Sequence, residues 1–128
     1  MQYRWDHVHL KAADVEATVK WYVEVLGAEA TEPRLFRGSS EVDLDLGGAR
    51  VVVHGELCDE LALPESLHPR MGVDHVGLTV DDLEQAVDEL GQQGVEVLEQ
   101  PWVVSPGVRM ACIAAPDKVR VELWEYAS

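Results

Sequence analysis

Two short stretches in which apolar and polar residues alternate open the two halves of the chain. Asp6-His7-Val8-His9-Leu10 is followed 68 residues later by Asp74-His75-Val76-Gly77-Leu78. Period-two alternation predicts a strand with one aliphatic face, Val8 and Leu10 or Val76, Leu78 and Val80. The opposite face carries Trp5, His7 and His9 in the first copy, and His75, Gly77 and Thr79 in the second. After each strand the period changes to that of a helix. Val15, Val19, Tyr22, Val23 and Leu26 form one stripe, and Leu83, Ala86, Val87 and Leu90 the other. Asp14 and Asp82 are the expected N-caps, and the helices should end near Gly27 and Gly91.

Beyond each helix the alternation returns in three strand-like segments, near 28–34, 36–46 and 49–55, then 95–102, 108–114 and 119–126. Gly47-Gly48 and Pro116-Asp117 mark the last turns. The chain is thus expected to be a single α+β domain, 1–128, built from two βαβββ units at 1–56 and 72–128. A linker at 57–71, holding Pro64, His68 and Pro69, joins them. In the last strand Val119, Val121 and Leu123 oppose Arg120, Glu122, Trp124 and Tyr126; in the corresponding strand of the first half Val51 and Val53 oppose Arg50, Val52 and His54. One face is repeatedly aliphatic and needs a helix over it. The other collects histidine, carboxylate, arginine and tryptophan, a composition that suits a concave binding surface better than a solvent-washed one.

Composition narrows the functions. The 128 residues carry 24 acids against 10 Lys and Arg, a net charge of −14. Such a surface repels phosphate backbones and anionic lipids, so no nucleic-acid or membrane partner is expected. No apolar run reaches the ~20 residues of a membrane span and no leader opens the chain, which predicts a cytoplasmic protein. Cys58 and Cys112 have no metal-finger spacing and read as reduced thiols, Cys112 as core rather than nucleophile.

Taken in order, Asp6-His7-Val8-His9-Leu10 with Asp14, Trp21-Tyr22 with Val25-Leu26-Gly27, Asp74-His75-Val76-Gly77-Leu78 with Asp82, and Pro116-Asp117 leading to Val121-Glu122-Leu123 resemble the vicinal oxygen chelate superfamily. That superfamily includes glyoxalase I, methylmalonyl-CoA epimerase, fosfomycin and bleomycin resistance proteins, and extradiol dioxygenases. The resemblance implies a curved, cup-shaped mixed sheet of eight strands with the helices outside, and a divalent metal ligated from the first and last strands of each unit. Carried over, the ligands fall on His7, His75 and Glu122. The fourth position is Val52 if Arg50-Val51-Val52-Val53 matches Arg120-Val121-Glu122-Leu123, but His54 if the two halves align without a gap. His54 is then a displaced ligand or a residue that touches substrate.

Two histidines and a carboxylate leave coordination positions open, which suits Fe, Mn, Ni, Co or Zn. The implied activity is that of a lyase, isomerase or epimerase on a small oxygenated substrate, with His9 and Glu122 as catalytic groups. Trp5, His54, Arg109, Arg120 and Trp124 are candidates for holding the substrate. Two alternatives remain: an Fe(II) dioxygenase, since the same triad serves non-haem iron, and a metal-free, bleomycin-type sequestering protein, which the acidity favours. Glyoxalase I itself fits less well, because no basic cluster is present for glutathione. Val73 stands where fosfomycin resistance proteins carry a tyrosine. The short chain suggests a homodimer.

Overall fold

In the computed structural model the described residues are 1–2, 4–57 and 71–128, so the expected linker, with Cys58, Pro64, His68 and Pro69, lies almost wholly outside them. The chain divides into two compact units, residues 1–64 and 65–128. The first contains β1 (Val8–Lys11), α1 (Val15–Leu26), β2 (Glu29–Ala30), β3 (Arg34–Phe36), β4 (Ser39–Leu46) and β5 (Ala49–His54). The second contains β6 (His75–Thr79), α2 (Leu83–Gln92), β7 (Val97–Ser105), β8 (Val108–Ala114), a 3-10 turn at Pro116–Lys118, and β9 (Arg120–Tyr126). Each unit is therefore βαβββ, with the first of its three return strands interrupted into β2 and β3 in unit 1.

The sheets run in the order β1-β5-β4-β2, with β3 also on β4, and β6-β9-β8-β7. In each, the opening strand lies parallel to the closing one, and the remaining pairings are antiparallel. The helix makes the parallel return possible, because a parallel pair needs a long crossover. Both helices begin as expected: the Asp14 and Asp82 carboxylates accept from the backbone N–H of Ala17 and Gln85, each at 3.0 Å. Replacing either aspartate with alanine should cost about 1 kcal/mol, read by chemical denaturation. Gly27 closes α1 at φ 72°, whereas α2 runs past Gly91 and the left-handed residue after it is Gly94, φ 81°.

Turn chemistry sets the registers. Gly47 and Gly48, φ 59° and 94°, form a two-residue hairpin pairing Leu46 with Ala49. Arg37 and Gly38, φ 49° and 81°, do the same between Phe36 and Ser39. This is why β4 starts at Ser39 and not at residue 36 as the alternation suggests.

The aliphatic faces form the core of each unit. In unit 1, Val42, Leu44, Leu46, Val51 and Val53 are buried together with Tyr22 and Thr18 of α1. In unit 2 the counterparts are Ala111, Ile113, Val121 and Leu123 with Leu83, Val87 and Leu90 of α2. Among the described residues no helix is long and apolar enough to cross a membrane.

Candidate metal centre

On the uncovered face of unit 2, β6 and β9 place His75 beside Arg120 and Gly77 beside Glu122. The His75 Nε2 lies 3.1 Å from Oε1 of Glu122. Its Nδ1 is 2.8 Å from the Asp74 carboxylate. An ionised carboxylate only accepts, so the ring donates to Asp74 through Nδ1–H, and this contact orients it so that Nε2 is the nitrogen turned to Glu122. Glu122, its side chain 12 % exposed, is steadied by the indole N–H of Trp124, which donates to Oε1 at 3.0 Å. Gly77 leaves open the space that a side chain opposite Glu122 would occupy; a Cβ there would meet only the Trp124 ring, at 3.9 Å. A histidine tethered by a carboxylate at one nitrogen, with a second carboxylate beside the other, is an arrangement in which an ion could be held between imidazole and carboxylate.

Unit 1 repeats the first half of that arrangement. His7 Nδ1 is 2.5 Å from Oδ2 of Asp6, so the same dipeptide holds the ring through the same nitrogen. The bond from His7 holds the Asp6 carboxyl below its usual range, with Arg50 assisting. Arg50 reaches Asp6 at 3.0 Å and Asp43 at 3.0 Å. Asp43 is drawn below 3.8 first by its hydrogen bond from Arg34 and then by Arg50. Its stabilising contribution is present above that ordinary value and lost as pH falls through the lower folded one. Asp43→Asn should therefore cost about 1 kcal/mol at neutral pH. The difference from the parent should shrink in urea titrations run below about pH 4.

Pairing of β1 with β5 decides which residue corresponds to Glu122. Gly77 pairs with Glu122 in unit 2, and His9, the repeat counterpart of Gly77, pairs with Val52. Val52 is thus the counterpart, and it is buried, 3 % exposed. His54 lies two residues further along the same face. There it meets His9, ring centroids 3.8 Å apart, and Glu41, whose Oε2 is 3.6 Å from His54 Nδ1. Burial is the main cause holding both His9 and His54 below 6.5, with Glu41 opposing it in each. Both imidazoles are neutral near pH 7.

The description of the family model that matches residues 4–123 is Glyoxalase/Bleomycin resistance protein/Dioxygenase superfamily. The chain belongs to this superfamily. YwkD of Bacillus subtilis, itself uncharacterized, is 33 % identical over 125 residues, spanning 93 % of this chain and 94 % of that protein. The crystal structure of SMU.1112c matches with a TM-score of 0.81 at 28 % identity, over 98 % of this chain and 100 % of the other. A V278E mutant of glyoxalase I from Zea mays matches with a TM-score of 0.77 over 95 % of this chain and 44 % of that one. At 19 % identity it shows the fold alone. Superfamily members often use divalent metals, and among the described residues His9, Glu41 and His54 bring donor atoms close enough together that they could hold one.

Other expected site residues of this glyoxalase-like chain fall in different surroundings. Arg120 shares the face of Glu122 and donates to Glu99 at 3.1 Å. Trp124 stacks on Tyr126 beside Glu122, while Trp5 is 73 % exposed. Arg109 pairs with Glu125 in the β8–β9 register, on the face under α2. There it bonds Glu84 in the first helical turn, and Glu125 in turn accepts from the Leu83 N–H at 2.7 Å. It locks the helix to its sheet and faces away from His75 and Glu122. Cys112 is fully buried, and burial pushes its thiol up, which fits core and not nucleophile. Glu41 is the residue that alternation and family resemblance both missed.

Proposed function

We propose that the chain is a divalent-metal-dependent enzyme of the lyase, isomerase or epimerase type, acting on a small oxygenated molecule. The observation that carries this reading is the repeated Asp-His pair. Asp6 on His7 and Asp74 on His75 both tether Nδ1, and at His75 the other nitrogen faces Glu122. Two tethered imidazoles and a carboxylate suit a transition-metal ion with open positions. The ligands in this reading are His7, His75 and Glu122. When bound, such an ion supplies Lewis acidity toward a substrate oxygen.

The chain's own residues have distinct tasks in that reading. Asp6 and Asp74 fix the tautomer and orientation of the rings, and the Trp124 indole fixes the carboxylate of Glu122. His9, whose ring centroid is 5.9 Å from that of His7, is neutral at pH 7 and can take a proton from substrate. Arg120, already turned toward Glu99, stands on the same face for a substrate carboxylate.

Elemental analysis of protein purified without a chelating tag, beside His75→Ala/Glu122→Ala, tests the reading. Metal in the parent and less in the variant is expected. Activity found only with ferrous iron and oxygen would transfer the assignment to a dioxygenase. A parent that stays empty after incubation with Fe(II), Mn(II), Ni(II), Co(II) and Zn(II) would leave sequestration of an organic cation.

A further inference from the structure

Unit 1 carries no carboxylate at the position of Glu122, yet it is not poor in donors. Val52 stands there, and donors appear around it instead: His9 pairs with Val52 on β1, and Glu41 pairs with His54 across β4 and β5. One nitrogen of His9, one of His54 and one carboxylate oxygen of Glu41 all lie within 4.8 Å of one another. We propose that His9, Glu41 and His54 form a separate binding site for a zinc-class transition-metal ion, built wholly within the first unit. It does not depend on a metal at His7, His75 and Glu122.

Three features favour a cation there. The His54 side chain is buried, 6 % exposed, and its Nδ1 is among the buried polar atoms with no hydrogen-bond partner. Leaving such an atom unsatisfied is costly, and a coordinate bond would satisfy it. Glu41 is held at one oxygen only: Oε1 takes both Nε, at 3.0 Å, and a terminal nitrogen, at 2.5 Å, of Arg34. That leaves Oε2 turned toward His54, the outer-partner arrangement that orients ligating carboxylates. His9 is exposed at the open side, so the site has an entry and a fourth position for water. Two imidazoles and one carboxylate match Zn(II) and Co(II) better than Mg(II) or Ca(II), which prefer all-oxygen sites. An ion bound there would also take His9 out of any proton transfer.

Equilibrium dialysis against Zn(II) of the folded His75→Ala/Glu122→Ala protein tests the site with the family positions removed. One equivalent of zinc should remain, and replacing it with Co(II) should give visible absorption bands of low-coordinate cobalt. Adding His9→Asn and Glu41→Gln, chosen because His54→Ala risks the core, should remove that equivalent and the bands. The proposal is overturned if the double variant retains no zinc, or retains it equally after those two changes. A parent that holds a single equivalent, insensitive to His75→Ala/Glu122→Ala but lost with His9→Asn/Glu41→Gln, would sink the metal reading of the proposed function and leave this one standing.

Discussion

Alanine at His75 and Glu122 together is expected to remove the metal bound at the family positions and, once a substrate is known, to lower kcat/KM by roughly a thousandfold or more, the scale of several kcal/mol of lost charge stabilisation. These two side chains are already close, 3.1 Å, and each is restrained by a neighbour. Removing only the restraint should therefore do less. Asp74→Asn keeps a hydrogen-bond partner on His75 Nδ1 but not its charge, and should weaken metal affinity by about 10–100-fold. Asp6→Asn should behave alike at His7, because the two dipeptides are arranged alike. Competition with a chromophoric chelator measures both. Equal affinity in the parent and in Asp74→Asn would mean that the tether only serves the apo protein, and would remove the main support for His75 as a ligand.

Much of this architecture is legible in the residues themselves. The two Asp-His strands, their capped helices and their meanders repeat so closely that the βαβββ units follow from alternation and spacing. Where both faces of a strand are apolar, alternation says little. In β8 neither Met110, Cys112 and Ala114 nor Ala111 and Ile113 mark a polar side, so nothing in the segment signals that Arg109 sits under α2. The choice between Val52 and His54 needs the parallel register, which no count along the chain supplies. The Glu41–His54 pair, by contrast, is within reach: a two-residue turn at Gly47-Gly48 pairs Leu46 with Ala49, and counting five residues outward from each puts Glu41 opposite His54. The turn fixes a register that the family resemblance, concerned with the first and last strands, passes over.

If Val52 occupies the position of a missing fourth ligand, restoring the carboxylate should make stability depend on metal. Val52 is 3 % exposed and pairs across the sheet with His9 on one side and Asp43 on the other. Val52→Glu would bury a carboxylate beside Asp43, at a cost of roughly 2–4 kcal/mol in the absence of an ion. An ion bound to the family positions would offset that charge. At a free concentration a thousand times Kd it contributes about 4 kcal/mol to the folded state. The expected result is a Tm well below the parent's in chelator, recovering most of the way with saturating metal. Val52→Gln separates charge from bulk: it carries the same volume into the same place, and should lose stability without regaining more than the parent does. Recovery of Val52→Glu no greater than that of Val52→Gln would mean that a carboxylate at this register does not reach the ion, and that the two halves of the chain do not use corresponding positions of their last strands. A recovery specific to glutamate would show that a carboxylate at position 52 reaches the ion, so that the two halves of the chain offer ligands from corresponding positions of their last strands.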